Sequence, residues 1–362
     1  MTTFDEVRAR FPVLRRRAYL NAGTFGPLAQ ATVDAMAAEQ AREAEEGRSG
    51  GDSFDRIRAL RESVRGAIAA EIGAAPEHVA LTASTTSGCN IVVAGLRLGP
   101  DDEVVTTDVE HFGLVGPLVA SGAHLRIAQV KHRPAAAAFD AIRAEVTPRT
   151  RLLALSHVSW LTGQAIPVAE LRAATGVPVL VDGAQSAGAI PVDATGVDWY
   201  TVSAQKWLCG PDATGALFVR DPESLEVTMP SYWSQDSYDL LEPSFEPKAG
   251  AARFDGGTIP AAMLAGLDAA LADRPGWRYD HARAVAERCR SRLAEAGCEV
   301  VTEPAQGTLV SFAVEDDAAA AAKRCYERGV VVRDLPGTSW LRASCGYWTS
   351  DEDVERLVAA LN

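Results

Sequence analysis

Lysine is almost missing from this chain. Only Lys131, Lys206, Lys248 and Lys323 stand among 35 basic residues, and arginine supplies the rest. Where charge alone is wanted the sequence writes arginine. A lysine kept among apolar and small residues, as in TVSAQKWLCGPDATGALFVR (201–220), therefore points to a task arginine cannot do: giving up its proton and attacking a carbonyl. Other absences narrow the field. No apolar run reaches the ~18 residues that cross a bilayer. The start, MTTFDEVRARFPVLRRR, lacks the apolar core of a signal peptide, so a cytoplasmic protein without a membrane partner is expected. A net charge of −13 argues against nucleic acid or an anionic membrane as partner. The six cysteines (Cys89, Cys209, Cys289, Cys298, Cys325, Cys345) contain no C-x-x-C pair and no histidine at ligand spacing, so no metal site is expected. In a reducing compartment they read as small buried hydrophobes. Neither G-x-G-x-x-G nor G-x-x-x-x-G-K-[ST] occurs, which removes the best support for a dinucleotide or P-loop reading.

What is present is alternation. Between residues 60 and 220, short apolar runs (79–82, 103–107, 125–130, 152–158, 177–182, 199–204, 215–220) alternate with Ala-rich segments of helical period. Several runs are apolar throughout, as strands covered on both faces must be. This predicts an α/β fold with a mostly parallel seven-stranded sheet. Residues 221–260 look irregular and carry five prolines. A long helical stretch follows at 261–297, then strand-like runs CEVVTEP and GTLVSFAVE, a helix from 317, strands VVVRD and WLRAS, and a closing helix. The expected organisation is a large domain over 15–245 and a smaller α+β domain built from 1–14 and 246–362.

In open α/β sheets ligands bind beyond the carboxyl ends of the strands. There the sequence places ASTTSGCN after the first strand, offering Ser84, Thr85 and Thr86 at a helix start, either as a phosphate cradle or as an ordinary N-cap. His111 follows the second strand, as a group to lie against an aromatic ligand or as a surface residue. Asp182 ends the wholly apolar run VPVLVD, where a shielded carboxylate needs a cation such as a protonated pyridine nitrogen; capping the next turn is the alternative. Gln185 lies within reach of a hydroxyl on the same ring. Lys206 follows the next strand, flanked by Ser203 and Gln205 as further phosphate donors, and burial would supply its neutral amine. Phosphate cradle, stacking His, ring-nitrogen Asp, hydroxyl-binding Gln and amine Lys are together the requirements of pyridoxal 5′-phosphate. A pyridoxal-phosphate-binding protein without turnover and a nucleotide-dependent α/β enzyme are the readings from other classes.

The stretch VDGAQSAGAIPVDATGVDWYTVSAQKWLCGPDATGALFV, with AYLNAGTFGPL near residue 18, resembles the class V aminotransferases among fold-type I pyridoxal-phosphate enzymes. That family includes cysteine desulfurases, cystine C–S lyases and isopenicillin N epimerase-like proteins. The resemblance implies that Lys206 carries the cofactor as a Schiff base, that Asp182 faces the ring nitrogen, that Gln185 sits near the ring hydroxyl and that His111 stacks on the ring. It makes Thr85, Thr86, Ser203 and Gln205 phosphate ligands. It implies a homodimer in which Thr258 of RFDGGTIP reaches the partner's phosphate. Arg342 of WLRASCGYW would hold the substrate α-carboxylate, with Asn21 and Trp160 also on the substrate side. Two departures bear on the reaction. The link LPGTSW before the carboxylate-binding strand has no cysteine, and Cys345 is a poor match to a desulfurase nucleophile. Trp160 stands where many desulfurases have Asn. The expected activity is thus β-elimination from an amino acid through an external aldimine, a C–S lyase acting on cystine or a cysteine S-conjugate. Transamination and epimerisation are the alternatives.

Overall fold

All seven apolar runs between residues 79 and 220 form strands of one sheet in a computed structural model that describes residues 2–272, 274–315 and 317–361. They are β1 (Val79–Thr82), β2 (Glu103–Thr107), β3 (His124–Ala128), β4 (Thr150–Ser156), β5 (Val179–Asp182), β6 (Trp199–Ser203) and β7 (Gly215–Val219). Their spatial order is β1-β7-β6-β5-β4-β2-β3. β7 runs antiparallel to both neighbours, and the other pairings are parallel. The continuous apolar character has a simple cause. Val105, Leu153, Leu155, Val179 and Val181 enter the core on one side, while Val104, Leu152, Ala154 and Leu180 enter the core on the other. The inner strands are buried on both faces, so period-2 alternation disappears there, whereas the edge strand β3 leaves His124 and Ile127 exposed.

The helices Gly51–Glu71, Thr85–Gly95, Phe112–Ser121, Ala138–Ala144 and Val168–Thr175 lie close to where the sequence puts them. Three features differ. The helix Gln30–Glu46 was not anticipated; its exposed, charge-rich surface leaves little apolar stripe to read. The run 261–297 divides into Ala261–Ala272 and Arg278–Glu295, because Pro275 has no N–H to donate and restricts the residue before it. CEVVTEP makes only an isolated bridge, Val300 to Phe312, and the irregular region holds a hairpin of Gln235–Asp239 with Ser244–Pro247.

Towards the C-terminus a second sheet has the order β8-β10-β9, from β8 (Leu309–Ala313), β9 (Arg333–Asp334) and β10 (Trp340–Ser344), all antiparallel. Val285, Leu293, Phe312, Leu341, Val354 and Leu357 fill its core. Ala18 and Leu20 join that core, and Ala18 pairs with Val330, so the N-terminal chain is pinned to this unit just before the segment 21–26 crosses to the large sheet. Conversely Ile259, Leu264 and Leu267 pack into the large-sheet core, although the sequence grouped them with the C-terminal unit.

Candidate active site

The strand ends and the C-terminal sheet meet around one cavity of about 250 Å³, lined by Gly23, Thr24, Phe25, Ser84, Thr85, Thr86, His111, Trp160, Gln185, Ser203, Gln205, Lys206, Arg333 and Arg342. Residues named from widely separated motifs are thus brought together. Asp182 lies just behind the wall, buried at the end of β5 and in register with Ser156 and Thr201. Asn21 and Thr258 are not in the wall. Asn21 bridges to Ser344 and its Oδ1 accepts from Thr24 Oγ1 at 2.8 Å, so it holds the lining segment in place. Thr258 is exposed on a loop.

The phosphate-cradle residues have local duties as well. Ser84 is the N-cap of helix Thr85–Gly95, accepting from Ser87 N at 3.2 Å, so the capping alternative holds for that hydroxyl. Thr85 donates from its backbone N to Ser203 Oγ at 3.0 Å, and the two hydroxyls lie 3.1 Å apart, tying the helix start to the end of β6. His111 caps the next helix, Nδ1 accepting from Gly113 N at 3.0 Å, and meets Trp160 edge-on at 5.3 Å. Burial first, then the charge of Lys206, holds the imidazole below its ordinary pKa, so it is neutral at pH 7. Gln185 is clamped, its Nε2 donating to Gly23 O at 2.9 Å and its Oε1 accepting from Trp207 Nε1 at 3.0 Å.

Lys206 is pushed down to about 8 by burial, reinforced by Arg342 and opposed by Asp182. A usable fraction of neutral amine near pH 8 follows. Arg342, buried on β10, donates from Nη1 to Trp160 O at 2.8 Å and falls to about 9 through burial and the nearby Arg333. No carboxylate pairs with Lys206 or Arg342 among the described residues. The chain 23–26 passes very close: a Cβ on Gly26 would sit 2.0 Å from Lys206 O, and one on Gly23 2.7 Å from Arg342 Nη2. Only glycine permits this approach, which is what NAGTFG encodes.

Sequence reasoning missed Thr24, Phe25, Arg333 and the half-buried Glu110. Glu110 accepts from Thr107 Oγ1 at 2.7 Å and from Ser156 N at 3.0 Å, and burial raises it to about 7. Its position beside His111 was the available signal, as the close-set glycines were for Thr24 and Phe25. Arg333 had none, since its place depends on strand pairing.

Of the thirteen buried side-chain polar atoms without a hydrogen-bond partner among the described residues, three belong to residues of this cavity's wall: Gln205 Oε1, Trp160 Nε1 and Arg342 Nε. Gathered in the wall of one cavity, they are groups that a bound ligand could satisfy. Pyridoxal phosphate fits the donor set: hydroxyls and amides at a helix start for a phosphate, a buried anion in Asp182 for a cationic ring nitrogen, and a partly neutral lysine.

The Aminotransferase class-V family model matches residues 18–357. Isopenicillin N epimerase of Streptomyces clavuligerus is 28% identical, over 99% of this chain and 98% of its own length. A cysteine desulfurase of Klebsiella pneumoniae is 31% identical, over 74% of this chain and 70% of its own. Among solved structures, the cystine C–S lyase C-DES with its reaction product cysteine persulfide superimposes with a TM-score of 0.89 at 30% identity, covering 97% of this chain and 98% of the other. A C-DES mutant with glycine covalently linked to its PLP cofactor gives 0.90 at 29%, covering 98% of each chain.

Proposed function

Because this chain belongs to the class V aminotransferase family and is a pyridoxal-phosphate-dependent enzyme, we propose that it is a C–S β-lyase acting on L-cystine or a related cysteine S-conjugate. The observation that carries this reading is the composition of the cavity: a depressed lysine and a buried arginine are there, and no cysteine is in its wall. Cys345 is buried and lies outside it, which argues against a thiol nucleophile of the desulfurase kind.

Bound there, pyridoxal phosphate supplies an electron sink for the charge left at Cα when an amino acid loses its α-proton. The chain's own residues do the rest. Thr85, Thr86, Ser203 and Gln205 hold the phosphate, with the N-terminus of helix Thr85–Gly95 behind them. Asp182 keeps a proton on the ring nitrogen, since a buried carboxylate favours a cationic partner. Neutral His111 covers one face without adding charge. Arg342 fixes the substrate α-carboxylate, which orients the Cα–H bond toward Lys206. Lys206 Nζ, neutral in part near pH 8, would take the α-proton and return a proton to the sulfur leaving Cβ. With L-cystine the products are cysteine persulfide, pyruvate and ammonia, water supplying the ketone oxygen. Epimerisation is the second reading, favoured by the end-to-end similarity to isopenicillin N epimerase. The absorbance spectrum with added L-cystine tests the choice: a shifted cofactor band with pyruvate released supports the lyase, whereas α-proton exchange with solvent and no pyruvate supports epimerisation.

We further propose a homodimer in the cytoplasm. Thr258 is exposed and away from its own subunit's cavity, as a group serving a partner's phosphate should be, and Phe112, Leu240 and Leu241 leave large apolar surface uncovered. Sedimentation that gives a monomer at micromolar concentration would remove this part of the reading.

A further inference from the structure

Trp207 is among the largest fully buried side chains of the protein, and it directly follows Lys206. It shares a core cluster with Ala22, Val158, Ala189 and Trp348, and its carbonyl accepts from Arg274 Nη2 at 3.4 Å. An indole buried this deeply still has one N–H to satisfy. That N–H goes to Gln185 Oε1 at 3.0 Å. The pairing has a consequence for the cavity. Indole nitrogen only donates, so the atom it meets must be the oxygen of the Gln185 amide. The amide nitrogen is thereby turned toward Gly23 O, at 2.9 Å, in the wall of the cavity that Gln185 also lines. Nε2 carries two hydrogens, and among the described residues only Gly23 O accepts one of them. The second is left for whatever fills the cavity. With Oε1 taken, Gln185 offers the cavity a donor and not an acceptor.

We infer that Trp207 is a positioning residue: through the Gln185 amide it fixes a hydrogen-bond donor against an oxygen anion bound in the cavity. This rests on the reading of the cavity as a pyridoxal-phosphate site with Gln185 at the ring hydroxyl. The negative charge on that oxygen is least compensated once the nitrogen linking the cofactor to Lys206 has lost its proton. A fixed donor therefore favours the deprotonated form. An amide free to turn and present its own oxygen does not. Trp207 is outside the cavity wall, so its influence runs through Gln185.

A pH titration of the cofactor's visible band in the holoenzyme tests the inference, because it reads charge at the ring and not turnover. Trp207→Phe removes the indole donor, but the smaller ring also opens a cavity in a packed core. The second variant therefore carries 3-benzothienylalanine at position 207, which keeps the indole's shape and puts sulfur in place of the N–H. Both changes should raise the band's pH midpoint by roughly 0.5 to 1. Gln185→Leu should raise it at least as far, and either change at Trp207 should add nothing in the Gln185→Leu background. If Gln185→Leu moves the midpoint while the benzothienyl protein titrates like wild type, the role of Trp207 is overturned and Gln185 keeps its place at the ring oxygen. A Trp207 effect that persists in full without Gln185 also overturns it, since packing is then the cause. A midpoint that Gln185→Leu leaves unmoved removes both the inference and the reading of Gln185 on which it rests.

Discussion

Two of the clusters of buried charge in this molecule are built in opposite ways. In the first, Asp255 accepts from Arg61 at 2.8 Å, from Arg65 at 2.9 Å and 3.1 Å, and from Leu81 N at 2.8 Å, while Arg61 also lies over the Trp233 ring at 4.7 Å. Both carboxylate oxygens are spoken for by cations and a backbone donor. In the second, Lys206, Arg342 and Asp182 share one neighbourhood, yet none of them makes an ion pair among the described residues. Among the described residues the Asp182 carboxylate accepts only from Ala184 N, at 2.9 Å. The first cluster is closed and fixes the helix Gly51–Glu71 to the edge of the sheet. The second is open. Its charges are costly until something enters, and they are aimed at one cavity. Buried charge by itself therefore says little about function; buried charge left without its counter-charge says much.

The largest effect expected from disturbing this contrast is at the open cluster's centre. Lys206→Ala should lower turnover by at least on the order of 10³-fold, since both the covalent link and the proton carrier are lost, and should abolish the visible band of bound cofactor. A Lys206→Ala protein that kept that band would falsify the assignment. Next in size is a paired comparison of the two clusters. Asp255→Asn removes the anion from a closed cluster, leaving the buried Arg61 without a counter-charge and Arg65 with only the exposed Glu62, which should cost about 3–5 kcal/mol of stability. Arg342→Met removes a cation that had no counter-charge, so the cofactor-free protein should be as stable as wild type or more so, while substrate affinity collapses. Urea unfolding of both variants checks this. Equal destabilisation would mean that the two clusters do not differ in kind.

A smaller effect concerns pH. In the cofactor-free chain Lys206 titrates near 8, whereas an unfolded lysine titrates at 10.5. Between those values the unfolded chain binds the proton and the folded chain does not, so this residue makes stability rise with pH across that window by about 3 kcal/mol, and below pH 8 the penalty is constant. Other groups also titrate there, so the quantity to measure is the difference between wild type and Lys206→Met. Flat behaviour of that difference from pH 8 to 10 would show that the lysine is solvated rather than buried.

The open cluster was also the more legible of the two in the sequence. Asp182, Lys206 and His111 each follow an apolar run, and strands buried on both faces announce themselves by composition alone. Arg342 and Trp160 were placed by resemblance, and the structure brings both to the cavity wall. What could not be read depends on partners remote in the chain. Arg333 acquires its position from the pairing of β9 with β10. Asp255 acquires Arg61 and Arg65 from a helix nearly two hundred residues earlier, and no spacing rule links them. Helix Gln30–Glu46 was lost for a different reason, since so little of its surface is buried that its pattern carries no apolar stripe.

The smallest effect expected is at Cys345, and its smallness is the point. Contact with the Cys289 thiol, then burial, pushes the Cys345 thiol well above the usual range, and its backbone N donates to Thr308 O at 2.9 Å in the core of the C-terminal unit. A thiol in such surroundings stays protonated, and a thiolate is what attacks sulfur. Cys345→Ala should therefore keep turnover within about two-fold of wild type and lose only modest stability. A desulfurase would behave otherwise, because its persulfide has to form on a cysteine that reaches the substrate. If Cys345→Ala were inactive while still folded and yellow, the C-terminal unit would have to open during catalysis, and the division into a closed core and an open cavity would hold only for the resting enzyme.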